Sequence, residues 1–66
     1  MNMILLTSDK DEAVYVNVNM ITHIEECYAY NANSDVYILG RKKPLQVQEC
    51  QEDIMSIIDS IKEGNA

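Results

Sequence analysis

The chain has no tryptophan and no phenylalanine, and it holds two glycines, one proline, two cysteines and one histidine. Each shortage closes off a class of function. Two glycines cannot build a glycine-rich loop whose backbone amides cradle phosphate. The cysteines, Cys27 and Cys50, form no CxxC pair, and with His23 as the lone imidazole a four-ligand zinc site would need carboxylates at spacings that nothing here offers. No apolar run reaches the roughly 18 residues that a transmembrane helix needs. The opening stretch MNMILLTSDKDE lacks a basic leader region, and its apolar run is too short for a signal peptide. A cytoplasmic location is therefore the expectation, and a Cys27–Cys50 disulfide is not expected. Basic residues are also scarce, 5 against 11 acidic ones, for a net charge of -6. That charge repels nucleic acids and anionic membranes at long range, so neither nucleic-acid binding nor membrane insertion is expected.

What is present is apolar and patterned. At 66 residues and 47% hydrophobic, the chain is long enough for one domain, residues 1–66, and too apolar for disorder. A domain this small buries only about 60% of the surface its unfolded chain exposes, so it gains from a partner subunit. MILLT (3–7) reads as a strand, SDKDE (8–12) as a polar turn, and AVYVN (13–17) as the returning strand, with Val14 and Val16 on one side and Ala13, Tyr15 and Asn17 on the other. VNM (18–20) breaks the alternation. A third strand is expected over about 21–30, a fourth over 35–40 and a fifth over 44–48. GRKKP (40–44) forms the last hairpin loop, with Gly40 free to take a positive φ and Pro44 confined to a strand's first residue or an edge.

The C-terminal pattern is helical. Ile54, Ile57, Ile58 and Ile61 fall at i, i+3, i+4 and i+7, and Cys50 extends the stripe by one turn over an expected helix at about 50–63. Glu49, Glu52 and Asp53 near its start and Lys62 near its end suit the macrodipole, and Gly64 is placed to stop it. The expected fold is α+β: a single antiparallel sheet of about five strands with one C-terminal helix packed on one face. One helix covers one face, yet Tyr15, Tyr37 and Leu39 oppose the valines. Either the sheet curls strongly or another chain covers it, and a homodimer or higher oligomer is expected.

The element order, with MILLT, an Asn closing the second strand, ITHIE, VYILG and VQECQEDIMSIIDSI, resembles the small FlbD (SwrD) proteins of bacterial flagellar operons. Met3, Ile4, Leu6 and Thr7 fit the start of that pattern; Asn17, Ile21, Ile24 and Glu25 follow without a gap. Gly40 stands at its second glycine, and Val47, Glu49 and the Ile stripe match its end. Departures are Asp11 where the family usually has Gly, a longer loop after Glu25, a longer last hairpin, and Cys50 in place of a capping Ser. The resemblance implies a non-enzymatic cytoplasmic accessory protein of motility that acts through contacts.

Candidate sites are few. His23 and Glu25 share one strand face and could exchange a proton, but no nucleophile or second catalytic group accompanies them. Glu25 and Glu26 face opposite sides. Asp9, Asp11 and Glu12 lack the Gly and distal Glu of a calcium loop and read as a solvated turn. Cys27 and Cys50 read as buried structural thiols rather than reactive ones. No catalytic residue, cofactor or metal is expected. The candidate partner contacts are Tyr15, Tyr28, Tyr30 and Tyr37, taken to line the sheet's second face, together with Arg41, Lys42 and Lys43, which suit an acidic partner or a neighbouring subunit. The first reading is a protein-interaction or accessory module. The alternative is a nucleic-acid-associated regulator, because ITHIEECYAY…VYILGR…LQVQECQEDI also resembles the LytTR DNA-binding domain.

Overall fold

The computed structural model describes residues 2–64, with side chains through residue 61. Five strands precede one helix: β1 (Met3–Thr7), β2 (Ala13–Asn17), β3 (Ile21–Glu26), β4 (Ser34–Ile38), β5 (Leu45–Val47) and α1 (Gln51–Gly64). The class is α+β, but the strands form two antiparallel sheets, β1–β2 and β3–β4–β5, and not the expected single sheet. The physical reason is coverage. A flat five-stranded sheet would leave one apolar face to water, whereas two sheets folded toward each other close around a shared core with α1. That core is Ile4 and Leu6 of β1, Val16 of β2, Val36 of β4, Val47 of β5, and Ile54 and Ile58 of α1. Every strand member has even parity except Val47, so alternation delivers these side chains to one side of each strand.

The sheets are stitched at one seam. Ser8 bridges Val47; Gln48 donates its backbone N–H to the Thr7 carbonyl at 2.8 Å, and Asp9 N–H reaches the Gln46 carbonyl at 3.1 Å. β5 is only three residues long, so the seam does not grow into a ladder. Glu49 closes it from the helix side: its carboxylate oxygens accept from the Thr7 N–H at 2.9 and 3.0 Å. Ser34, fully buried, is satisfied by donating to the Glu49 carbonyl at 2.7 Å.

Local chemistry sets the turns. Ser8 Oγ accepts from the N–H groups of Lys10 and Glu12, both at 3.2 Å, and so shapes the acidic turn. Asp11 takes φ 62°, a left-handed conformation that Asp tolerates better than most side chains. Asn17 Oδ1 accepts from Asn19 N–H at 2.9 Å and starts a single 3₁₀ turn over Val18–Met20. Gly40, at φ 92°, sits third in a turn closed by Arg41 N–H to the Ile38 carbonyl at 3.0 Å; a side chain there would be strained.

Several boundaries differ from expectation. β3 ends at Glu26 and not near residue 30, because Cys27 N–H pairs with the Asn33 carbonyl as the last rung before the chain turns away. β4 ends at Ile38, since the Gly40 turn begins there. In α1, Ile54 and Ile58 are buried while Ile57 and Ile61 are half-buried. The two buried isoleucines contribute about 3–6 kcal/mol in gross transfer terms. Cys50 does not extend their stripe: it is exposed, and its carbonyl accepts the helix's first bond, from Ile54 N–H at 3.0 Å. A residue at that half-in position does not share the helical phase. The side chain of Lys62 lies outside the described residues.

Candidate interaction surface

Three surfaces hold the residues that the sequence singles out. The first is the outward face of the β1–β2 hairpin. Its cross-strand partners are Met3 with Asn17, Leu5 with Tyr15, and Thr7 with Ala13. None of these six side chains is charged, in a chain of net charge -6. Leu5 is 48% and Tyr15 68% exposed, and Met3 also meets solvent. Directly opposed Leu and Tyr form an apolar cross-strand pair that stays largely open to water.

The hairpin also carries a free backbone edge. Val18 N–H donates to the Asn2 carbonyl and Ser8 N–H to the Glu12 carbonyl, each at 2.8 Å. These bonds fix the even-numbered residues as the mutually bonded pairs of the ladder. The odd-numbered residues of β2 (Ala13, Tyr15 and Asn17) therefore turn their N–H and C=O groups away from β1. No second strand neighbours β2 among the described residues. The edge AVYVN has no charge, no proline and no bulge, the devices by which edges are usually blunted.

The second surface is the outward face of β3–β4–β5. The His23 ring stacks on Tyr37 with centroids 4.1 Å apart and planes 12° from parallel. His23 Nε2 lies 3.6 Å from Glu25 Oε2, both side chains being about half exposed. The Thr22 hydroxyl sits 3.2 Å from the Tyr37 carbonyl, to which it donates, and 3.2 Å from His23 Nδ1. Partial burial raises the Tyr37 hydroxyl above its ordinary pKa, and the Glu25 carboxylate adds to the effect. Across the ladder, Asp35 faces Glu25 and Gln46; its Oδ1 is buried without a hydrogen-bond partner. The pairing of His23 with Glu25 is thus real, but it lies on an open sheet surface beside a stacked tyrosine. The free edge of this sheet is defended. β3 carries a register shift between Ile21 and His23, ends in two glutamates, and has its Ile24 carbonyl capped by Gln51 Nε2 of α1 at 3.0 Å.

The third surface is made of loops. Tyr28 and Tyr30 do not line a sheet face; they stand 90% and 97% exposed in the 27–33 loop. Tyr28 donates its hydroxyl to Glu26, which raises the Tyr28 pKa. The same loop is tied down by Asn31 Nδ2 to the Asp9 carbonyl at 2.8 Å and Asn33 Nδ2 to the Gln48 carbonyl at 2.7 Å, with Ala32 buried beneath it. Cys27 is half-buried, its Sγ accepting from Ala29 N–H at 3.4 Å and Gln46 Nε2 at 3.5 Å. Both thiols are free, and both residues line a cleft of about 300 Å³ with Glu26, Tyr28 and Glu52. The reading of Cys50 as a buried thiol is corrected by its exposure.

Arg41, Lys42 and Lys43 are exposed in the β4–β5 turn, where Arg41 Nε donates to the Lys43 carbonyl at 3.3 Å. They make no ion pair with the described residues. The four tyrosines and the basic turn therefore do not converge. Tyr15 belongs to one sheet, Tyr37 to the other, Tyr28 and Tyr30 to a loop, and the cations to a hairpin tip. No group of three or more His, Cys, Asp or Glu side chains among the described residues is placed to hold a metal ion. The feature that sequence reasoning missed is the difference between the two sheet edges. Its signal was available in part: AVYVN has no protecting residue, while ITHIEE has three ionisable ones. No helix among the described residues is long and apolar enough to cross a membrane. Comparison with protein-family models, with curated proteins and with solved structures returns no match to this chain.

Proposed function

We propose that this chain is a non-enzymatic interaction module: a small acidic accessory protein of the cytoplasm that self-associates and acts through contacts with protein partners. The observation that carries this reading is the uncharged outward face of the β1–β2 hairpin, where Leu5 and Tyr15 stand exposed side by side. Contiguous apolar exposure on so small a domain marks an association surface. In a chain of net charge -6, it is also a place where two copies meet without opposing like charges. The resemblance to the FlbD proteins extends the reading to bacterial motility. The left-handed backbone of Asp11, at a position where that family usually has Gly, supports it.

Sedimentation velocity across the micromolar range tests self-association. The wild-type chain is expected to gain mass with concentration, and Tyr15→Glu to need at least about tenfold more protein to do so, with an unchanged far-ultraviolet spectrum. A wild-type monomer throughout would remove the oligomer from the proposal. Salt-sensitive binding to duplex DNA, lost when Arg41, Lys42 and Lys43 are all changed to Ala, would replace the module with a nucleic-acid-associated regulator like the LytTR domain.

A further inference from the structure

We infer that the partner on the β2 edge is a second copy of this chain, joined antiparallel, β2 to β2, about a two-fold axis at Tyr15. The inference rests on the self-associating reading above and names its surface and register. Three observations converge on it.

The first is hydrogen-bonding parity. Ala13, Tyr15 and Asn17 direct their N–H and C=O groups outward. Antiparallel strands pair a residue with itself only on a two-fold axis, and the mutually bonded pairs must be outward-directed residues. Centring the axis on Tyr15 pairs Tyr15 with its own copy and Ala13 with Asn17 of the second copy. All three outward residues then exchange bonds, and no backbone group of the strand is left over.

The second is side-chain parity. In that register Val14 of one copy lies directly opposite Val16 of the other on the core side. Val14 is half-buried and Val16 is already in the core, so the pair extends the existing core across the axis. On the outward side Tyr15 meets Tyr15, flanked by Leu5 of each copy. Aromatic cross-strand pairs of this kind are favourable.

The third is charge. No acidic or basic residue occurs between Ala13 and Asn17, so the axis brings no carboxylates together. On β3 the outward-directed residues are Ile24 and Glu26: an axis at Glu26 would set that carboxylate against its own copy, and an axis at Ile24 meets a carbonyl already taken by Gln51. The two edges therefore predict one dimer and not a filament: an isologous contact through β2 closes on itself, while the β3 edge stays blocked.

Two measurements test the register. In the unmodified protein, hydrogen exchange at the amides of Ala13, Tyr15 and Asn17 is expected to slow as concentration rises, while the Ile24 and Glu26 amides keep their rates. In a Cys27→Ser, Cys50→Ser background, Tyr15→Cys is expected to oxidise to a covalent dimer. Facing Cα atoms of a bonded pair lie about 5.5 Å apart, within disulfide reach. Leu5→Cys is expected to form no covalent dimer, because the two Leu5 positions would be separated by three strand spacings, roughly 15 Å. A chain that dimerises by mass yet cross-links through Leu5 and leaves its β2 amides unprotected would overturn edge pairing in favour of face-to-face packing, with the interaction-module reading intact. A monomer at all concentrations would overturn both.

Discussion

The two sheets treat their inward faces alike and their outward faces differently. Inward, β1, β2, β4 and β5 all contribute apolar side chains to one core beneath α1. Outward, β1–β2 presents Met3, Leu5, Tyr15 and small uncharged neighbours, whereas β3–β4–β5 presents His23, Glu25, Asp35 and Tyr37. The same division runs along the edges: β3 is shifted in register, charged and capped by Gln51, while β2 is bare. A sheet that faces water carries polar groups on its outward face. The two-stranded sheet breaks that rule, and the break locates the surface where contact with another chain has the most to gain.

The largest test breaks what the sheets share. Ile54 is fully buried between them, and Ile54→Asp places an unpaired charge in the core, so the variant is expected to be unfolded by circular dichroism at 25 °C. Met55→Asp, one residue away and 47% exposed, is expected to melt within about 0.5 kcal/mol of wild type. A cooperative, unshifted melt of the Ile54 variant would refute the docking of α1. The second test cuts the seam. Glu49→Ala leaves the Thr7 N–H without its bidentate acceptor and is expected to cost about 1–3 kcal/mol in urea unfolding. No loss would mean that the backbone bonds from Gln48 to Thr7 and from Asp9 to Gln46 hold the seam without the carboxylate.

The third test separates the outward faces. Tyr15→Glu is expected to weaken self-association at least about tenfold, or 1.4 kcal/mol, with stability of the monomer unchanged. Glu25→Gln, on the other sheet, is expected to leave association alone. Equal effects would erase the distinction between the faces. The smallest effect sharpens the polar face. Partial burial and Glu25 raise the Tyr37 pKa above its ordinary value of 10.0. The folded chain thus holds this proton more tightly than the unfolded one. Tyr37 therefore adds stability that is fully present below pH 10 and lost as pH climbs through the raised value. Ultraviolet or NMR titration should find Tyr37 ionising later in the wild type than in Glu25→Gln.

Much of the fold is legible in the sequence because it depends on local periodicity. MILLT, a short apolar run, and AVYVN read as strands and form the hairpin; the Ile stripe docks as a helix; Gly40 makes its turn. What is not legible depends on contacts between distant residues. Tyr28 and Tyr30 share strand parity with Ile24, yet they leave the sheet. The loop that carries them is held by Asn31 on Asp9 and Asn33 on Gln48, bonds that no strand pattern announces. The split into two sheets likewise turns on a bridge of Ser8 with Val47, one read as the start of a turn and the other as part of a distant strand. Cys50 looked like the start of the stripe because periodicity ignores the change of backbone at a helix's first acceptor. The candidate surface was half visible: alternation puts Leu5 and Tyr15 outward, but the bare edge beside them follows from the bonding parity of the hairpin.

Proline at position 15 strikes at the β2 edge and spares the hairpin. Tyr15 N–H faces away from β1, so Tyr15→Pro removes a donor that the hairpin does not use and that an edge position can lose. Sedimentation equilibrium of the wild-type and Tyr15→Pro proteins is therefore the decisive comparison. Edge pairing predicts a folded variant that stays monomeric at concentrations where the wild type is dimeric. A folded Tyr15→Pro protein that dimerises as well as the wild type would contradict it.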